Sequence, residues 1–221
     1  MAMQWEPPAR AEDLVLATHG DVLELRAAAD RPGTGVRVDL GTVDPRGMRS
    51  TPLVRAMGER VRTVADATAG LLADAWLLAM AGFEVTAFER SPAIAALARD
   101  GIRRAAADPR IDRAAIARLR LVEADAITAL GHASFDAVLV DPMFPPRRRA
   151  SALPRKEIQV LRVAVGDDPD AEALLSAARA AARLRTAVKR GDDAPALAGS
   201  PDLTFGGSTT RIDVYLSGTP R

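Results

Sequence analysis

Residues 61–70 read VRTVADATAG, a short apolar run that passes through an acid into a glycine turn. Three further apolar runs follow along the chain, and an acid comes at or shortly after the end of each. The four acids are Asp66, Glu89, Asp125 and Asp141. Such runs, separated by helical patterns, predict an α/β fold with a mostly parallel sheet. Ligands of open α/β sheets bind outside the carboxyl ends of the strands, so the four acids predict one shared binding site.

The periodicity of the remaining sequence predicts the other elements. Strands are expected at 61–65, 83–88, 119–122, 135–140 and 186–188, with a closing antiparallel hairpin at 203–205 and 212–216. Helices are expected at 52–57, 74–80, 92–106 and 170–184. Short β-like runs at 14–17, 22–26 and 36–39 predict a small N-terminal β appendage. We therefore expect an appendage and connector over residues 1–58 and the main domain over 59–221.

Composition narrows the classes of protein. The 221 residues are 48% hydrophobic, enough for a sizeable core, and include no cysteine, which excludes disulfides, thiolate metal sites and a cysteine nucleophile. His19 and His132 have no partner at metal-ligand spacing, so we expect no metal. The net charge of +1 neither favours nor excludes nucleic acid. The N-terminus does not read as a signal peptide and no apolar run is long enough to span a membrane, so we expect a cytoplasmic protein.

The first turn favours one kind of ligand. A dinucleotide-binding turn would read GxGxxG, whereas here Asp66 precedes the single Gly70. An acid at this place suits an ammonium group, such as the methionine portion of S-adenosylmethionine (SAM). Glu89, about 20 residues further on, has the spacing for ribose hydroxyls, and Asp125 could accept from an adenine amine. The Asp66–Gly70 turn alone is equally well read as a plain turn with an aspartate cap, and Glu89 or Asp125 alone is a weaker signal than that turn. Their joint placement favours the cofactor.

The fourth strand ends in Asp141-Pro142-Met143-Phe144. Methylating an exocyclic amine requires that its lone pair point at the donor methyl. A carboxylate and a backbone carbonyl beside a proline can hold the two N–H groups, and an aromatic ring can stack on a flipped base. The alternative is that Asp-Pro simply ends the strand and begins a turn.

A basic run, Arg147-Arg148-Arg149, follows directly, and Lys189-Arg190 is predicted at another strand end on the same rim. Its place beside the proposed reacting centre suits contact with RNA phosphate. The alternative is a solvated loop, which is the usual meaning of a run of like charges.

Taken in order, several segments resemble the RsmJ family of small-subunit ribosomal RNA guanine-N2 methyltransferases. They are 66–70, 89–92, 141–145, 151–153, 156–157, 188–190, 194–195 with 197–198, and 211–215. The likeness covers roughly residues 12 to 217. It implies a class I, Rossmann-like methyltransferase fold, SAM as the donor and a guanosine amine of RNA as the acceptor.

The resemblance also implies roles for single residues. The cofactor set is Asp66, Ala69, Gly70, Asp74, Glu89, Arg90, Asp125, Ala126 and Asp141. The catalytic set is Asp141, Pro142 and Phe144. The RNA-binding set is Arg147, Arg148, Arg149, Lys156, Lys189 and Arg190.

One departure touches the cofactor turn. The family continues Gly-Leu-Gly-Arg-Asp where this chain has Gly70-Leu71-Leu72-Ala73-Asp74. We expect Leu72 to crowd the methionine tail and so to weaken cofactor affinity. Two alternatives to methylation of RNA follow: the same fold acting on a small molecule or peptide, or a catalytically silent RNA-binding or assembly module.

Overall fold

The computed structural model describes residues 10–42, 46–142, 156–165, 170–207 and 209–218, without the side chains of 42 and 156–158. Its strands are β1 (Leu14–His19), β2 (Val22–Ala27), β3 (Thr63–Asp66), β4 (Glu84–Glu89), β5 (Leu119–Glu123), β6 (Phe135–Val140), β7 (Ala182–Gly191), β8 (Leu203–Gly206) and β9 (Thr210–Leu216). Its α-helices are α1 (Pro52–Met57), α2 (Ala73–Ala81), α3 (Pro92–Ala107), α4 (Arg113–Ala117), α5 (Ala126–Leu130), α6 (Lys156–Val165) and α7 (Ala171–Ala181).

Seven strands form one sheet in the order β5-β4-β3-β6-β7-β9-β8. The first five are parallel, and β9 and β8 are antiparallel, so the expected α/β fold with a C-terminal hairpin is confirmed. The chain runs outward from β3 to β5 and then returns to β6 on the other side of β3. The strand order therefore reverses between β3 and β6, which is the place where open α/β sheets bind ligands.

Helices cover both faces of the sheet. Val64 and Leu139 face α1, α2 and α3 in one apolar cluster, whereas Ala65 and Val138 face α5 and α7 in a second cluster. All four of these strand residues are fully buried. Central parallel strands that are covered on both sides read as continuous apolar runs, which is the pattern that predicted them.

The N-terminal hairpin of β1 and β2 forms its own two-stranded sheet and packs on α3. Val38 lies so close to α3 that a β-carbon on Gly101 would come within 2.3 Å of it. The third predicted strand, 36–39, is wrong: Val36 makes a single isolated bridge to Leu25. The appendage shares the apolar cluster of the main domain through Leu25, Val36 and Val38. The boundary at residue 58 stays a prediction.

Several element bounds differ from those expected. The helix predicted to run to Leu184 ends at Ala181, because Ala182 already pairs with Phe135 in the sheet. The strand predicted at 186–188 is therefore longer at both ends and contains Lys189 and Arg190. Helices α4, α5 and α6 were not predicted. The described part of the chain has no helix that is long and apolar enough to cross a membrane.

Candidate active site

The ends of β3 and β6 lie side by side where the strand order reverses. Asp66 pairs in register with Leu139, so Asp141 lies just beyond it on the neighbouring strand. The backbone N–H of Asp141 donates to Thr68 Oγ1 at 2.8 Å, and the N–H of Thr68 donates to Asp66 Oδ1 at 3.0 Å. Thr68 thus ties the two acidic strand ends together. Sequence reasoning missed this role, although Thr68 stands inside the motif that it used.

Gly70 and Glu89 connect the first turn to the end of β4. Gly70 has a φ of 50° and a hypothetical β-carbon there would meet nothing closer than 3.9 Å, so the turn is open toward the cavity. Its N–H donates to Glu89 Oε2 at 2.9 Å, while Oε1 accepts from the N–H of Ser91 at 2.7 Å. Glu89 is only 6% exposed. Its carboxylate shapes the turn in addition to facing the cavity.

Leu72 adopts the left-handed conformation, with φ 66° and ψ 9°, at the start of α2. A left-handed φ suits the glycine that the family carries at this position. The Leu72 side chain is fully buried in the larger apolar cluster. Its neighbours Leu71 and Ala73 line the cavity, but Leu72 does not. The expected crowding of the cofactor by Leu72 is therefore wrong: the side chain points into the core.

A lysine lies between two of the acids. Lys189 Nζ is 2.5 Å from Asp74 Oδ2 and 3.2 Å from Asp141 Oδ2. Burial by itself lowers the pKa of Lys189, but the Asp141 and Asp74 carboxylates outweigh it and raise the pKa above the usual lysine range. The side chain is an ammonium at any physiological pH. These partners differ from the RNA phosphate that the sequence suggested.

Asp66 is an acid of the site with a strongly raised pKa. Its pKa rises from 3.8 to about 7, chiefly because the side chain is buried and also because of the charges of Asp74 and Asp141, while the N–H of Thr68 and the Lys189 ammonium lower it. A buried carboxyl that is poised near neutrality typically marks a functional site. A cationic ligand placed beside Asp66 would favour the charged carboxylate.

The far end of the cavity contains the remaining predicted cofactor residues. Asp125 caps α5, accepting from the N–H of Ile127 at 2.7 Å, and Ala126 is buried next to it. Arg90 pairs with Asp170 at 2.9 Å, which joins the end of β4 to the start of α7. Ala69, in the first turn, donates its N–H to a backbone oxygen of β4 at 3.0 Å.

Two arginines fasten the wall opposite the first turn. Arg190 donates from Nε and Nη2 to the carbonyl of Pro195 at 3.0 and 2.6 Å. Arg211 donates to the carbonyls of Gly191, Asp192 and Ala194 at 2.9, 2.6 and 2.7 Å. Arg190 is 6% exposed. The guanidinium groups of Arg190 and Arg211 therefore hold the loop that follows β7.

These elements enclose a cavity of about 900 Å³. It is lined by every predicted cofactor residue (Asp66, Ala69, Gly70, Asp74, Glu89, Arg90, Asp125, Ala126 and Asp141), by Pro142, and by Lys189 and Arg190. It is also lined by residues that the sequence did not single out, including Leu161, Arg162, Val165 and Thr210. The first three of these residues belong to α6 and Thr210 belongs to β9. The position of these two elements at the site depends on the tertiary fold.

Some predicted residues cannot be placed. Phe144, Arg147, Arg148 and Arg149 lie outside the described residues, as does the side chain of Lys156. Within the described part of the chain, no group of three or more His, Asp or Glu residues could hold a metal ion.

Comparison with known proteins shows the family to which the chain belongs. A family model described as "Putative SAM-dependent methyltransferase" matches residues 3–217. Ribosomal RNA small subunit methyltransferase J of Thioalkalivibrio sulfidiphilus is 46% identical over 220 residues, which span 93% of this chain and 84% of that protein. The chain belongs to the RsmJ family of SAM-dependent methyltransferases.

Two further comparisons support the family. The methyltransferase J of Pseudomonas aeruginosa is 43% identical over 204 residues, which span 86% of this chain and 77% of that protein. The crystal structure of a SAM-dependent methyltransferase from Neisseria gonorrhoeae superposes with a TM-score of 0.73 at 31% identity. It covers 98% of this chain and 87% of that protein.

The site of this RsmJ family member fits SAM by the chemistry of its lining groups. Carboxylates at the ends of β3 and β4 suit the ammonium and the ribose hydroxyls of the cofactor, and Asp74 adds charge near the first turn. Phe88 and Ile127 supply apolar surface beside Asp125, as an adenine ring requires. The open turn at Gly70 leaves room for a ligand to approach the backbone.

Proposed function

We propose that this protein transfers a methyl group from SAM to an exocyclic amine of a base in small-subunit ribosomal RNA, and that the amine is N2 of guanine. The observation that carries the proposal is the position of Asp141 and Pro142. Both line the same cavity as the cofactor residues, next to the reversal of strand order. The two relatives described above are both named as ribosomal RNA small subunit methyltransferases.

The donor side is assigned residue by residue. Asp66, Ala69, Gly70 and Asp74 would hold the methionine end of SAM, and Asp141 would face its methyl group. Glu89 and Arg90 would hold the ribose, and Asp125 and Ala126 the adenine. Bound SAM supplies an electrophilic methyl group on a sulfonium. The contribution of the chain is to place that methyl near Asp141 and to balance its positive charge with carboxylates.

The acceptor side uses the end of β6. The Asp141 carboxylate and the Pro142 carbonyl accept the two N–H groups of the amine, which aims the nitrogen lone pair at the methyl carbon. Phe144 stacks on the flipped base. The nitrogen forms the new bond to carbon as the bond from carbon to sulfur breaks, the electron pair of the broken bond stays on sulfur, and the nitrogen then loses a proton to solvent. Catalysis is therefore orientation and electrostatics, with no covalent intermediate on the enzyme.

RNA docks around the rim. Arg147, Arg148, Arg149 and Lys156 contact phosphates beside the base pocket, whereas Lys189 pairs with Asp74 and Asp141 and Arg190 donates to the carbonyl of Pro195. The enzyme works in the cytoplasm, where the small ribosomal subunit is assembled. SAM and RNA are the required partners, and no metal takes part.

The test combines a transfer assay with product identification. Wild-type protein is incubated with isotope-labelled SAM and unmethylated small subunits or their RNA, and the digested nucleosides are identified by mass spectrometry. We expect N2-methylguanosine at one position. Asp141→Ala should lower kcat by about 10²–10³-fold, with SAM affinity within a few fold in calorimetry.

Controls separate the alternatives. Glu123→Gln, at the end of the edge strand β5 and paired with Arg99, should leave transfer unchanged. If RNA is not labelled while a small molecule or peptide is, the RNA assignment is wrong. If SAM binds to neither the wild type nor any variant at millimolar concentration, the protein is a silent binding module and the enzyme assignment is wrong.

A further inference from the structure

The register of β6 and β7 places Lys189 next to Asp141. Val140 pairs with Val188 in the parallel ladder, so the next residue of each strand is the aspartate or the lysine. The lysine ammonium then meets a second carboxylate, Asp74, from the first turn of α2. One cation thus bridges the acceptor side of the cavity, at Asp141, and the donor side, at Asp74.

The surroundings of this ammonium are strongly acidic. Asp66 from β3 faces it together with Asp74 from α2 and Asp141 at the end of β6, and each of these acids interacts with another of the group. Arg190 follows on the opposite face of β7, where it donates to the carbonyl of Pro195 and also interacts electrostatically with Asp141. Without Lys189, Asp74 and Asp141 would lose the ammonium that contacts both of them.

The placement does not suit a phosphate ligand. The Lys189 side chain is 27% exposed, and both of its partners already carry negative charge. A phosphate would have to displace one carboxylate and approach the others, which like-charge repulsion opposes.

The ion pairs of Lys189 are also not needed to hold β6 and β7 together. At the other end of the same two strands, Arg183 pairs with Asp136 at 2.8 Å, and Asp136 also accepts the backbone N–H groups of Arg62 and Thr63 at 2.9 Å. That pair lies outside the cavity and fastens the strands. Lys189 instead points its charge at residues that line the cavity.

We infer that Lys189 is a positioning residue for methyl transfer, which holds the Asp141 carboxylate in a fixed orientation and links it to Asp74 on the donor side. The inference rests on the proposed role of Asp141 toward the amine. An ionised carboxylate only accepts hydrogen bonds, whereas a protonated one also donates and would compete for the wrong partner. Loss of the ammonium lets the acidic group retain protons to higher pH.

The test compares three variants. Lys189→Met removes the charge at similar length, Lys189→Arg retains it, and Arg183→Met removes the matched cation at the other end of β7. Each is assayed for kcat and KM with small-subunit RNA between about pH 5.5 and 9, for SAM affinity by calorimetry, and for thermal stability. Carboxyl carbon NMR of labelled aspartates follows the titration of Asp66 without any substrate.

We expect Lys189→Met to lower kcat about 10²-fold, the cost of a misplaced catalytic group. The acid limb of its activity profile should move to higher pH. Lys189→Arg should recover part of kcat and the position of the acid limb, and Arg183→Met should retain wild-type kcat. In the NMR experiment, Asp66 should titrate at higher pH in Lys189→Met than in the wild type.

Other outcomes overturn the inference. An unchanged kcat with a raised RNA KM and a flatter salt dependence would make Lys189 a phosphate contact. A lowered kcat with no movement of the acid limb and no recovery in Lys189→Arg would make it merely structural. If the wild type methylates no RNA, the proposed function fails, while the NMR titration still decides whether Lys189 controls the ionisation of the acidic group.

Discussion

The backbone N–H of Gly70 donates a hydrogen bond of 2.9 Å to the carboxylate of Glu89 and joins the first turn of the sheet to the end of the next strand. The other carboxylate oxygen accepts from the N–H of Ser91. An acid that was predicted to bind the ribose is thus also a structural support for the turn that we propose binds the methionine end. Changes at Glu89 should therefore alter stability and cofactor affinity together.

The first prediction concerns Glu89→Gln. The amide can accept with only one atom, so its NH2 group must face one of the two backbone N–H groups. We expect a loss of about 1–3 kcal/mol in unfolding free energy and a clear fall in SAM affinity, measured by urea denaturation and calorimetry. The matched control is Glu123→Gln, whose half-exposed pair with Arg99 should contribute less than about 1 kcal/mol. Equal effects in both variants would contradict the argument.

The second prediction concerns Asp66 and pH. Its folded pKa of about 7 lies above the ordinary value of 3.8, so the native state binds more protons than the unfolded state between these values. The stability that Asp66 contributes is complete below about pH 4 and is lost as the pH rises to about 7.

Asp66→Asn removes this dependence while it keeps an oxygen for the N–H of Thr68. We expect the variant to be more stable than the cofactor-free wild type at pH 8 by up to about 4 kcal/mol, from roughly 1.4 kcal/mol per pKa unit over the rise from 3.8 to about 7. The two proteins should be nearly equal at pH 4, and the variant should bind SAM more weakly. Parallel melting curves of the two proteins at every pH would show that Asp66 is not the titrating group.

The third prediction concerns Leu72→Gly, which restores the residue that the family carries. It relieves a left-handed φ, worth about 1 kcal/mol, but removes a fully buried leucine, which costs about 2–5 kcal/mol. We expect net destabilisation and unchanged SAM affinity. Ala73→Arg, at a residue that lines the cavity, should tighten SAM binding instead. Tighter binding in Leu72→Gly alone would place its side chain toward the cofactor, against the observed burial.

The fourth prediction concerns the wall of the cavity beyond β7. Arg211 makes a two-pronged pair with Asp213 at 2.9 and 3.0 Å, and Asp213 is 1% exposed. Arg211→Met would leave this buried carboxylate without its cation, at a cost of about 3–5 kcal/mol. It would also remove the guanidinium that binds the carbonyls of Gly191, Asp192 and Ala194 and so holds the loop after β7. We expect a lower melting temperature and a raised RNA KM, with SAM affinity within a few fold.

A double variant checks the cause. Arg211→Met combined with Asp213→Leu removes both charges and should recover much of the lost stability. It should not recover the RNA KM, because the loop carbonyls stay without their donor. Full recovery of both properties would mean that the loop does not depend on Arg211.

The central part of the fold was predictable because its cause is local. The strand at Phe135–Val140 was predicted with the bounds that are observed, since a short and mostly apolar run that is followed by Asp141-Pro142 favours a buried strand and then a turn. The helix Pro52–Met57 was also predicted with its observed bounds, because Thr51 caps it and Pro52 suits its first turn.

Elements that depend on distant partners were not predictable in the same way. Residues 182–184 continue a helical pattern in the sequence, but pairing of Ala182 with Phe135 draws them into β7. A sequence pattern reports only on residues that are near one another along the chain. The free energy of adding Ala182 to the strand comes from Phe135, which lies 47 residues earlier. Tertiary pairing therefore overrode helix propensity.

The candidate site divides along the same line. The sequence by itself determined that acids end successive strands, because an apolar run, an acid and a turn are all local features, and a parallel sheet brings such ends to one edge. Only the tertiary structure decided what each charge meets. The charge of Lys189 was visible in the sequence, but its contacts with Asp74 and Asp141 follow from the order of β3, β6 and β7 and from the packing of α2. Coulomb energy depends on distance in space, and the sheet order sets that distance.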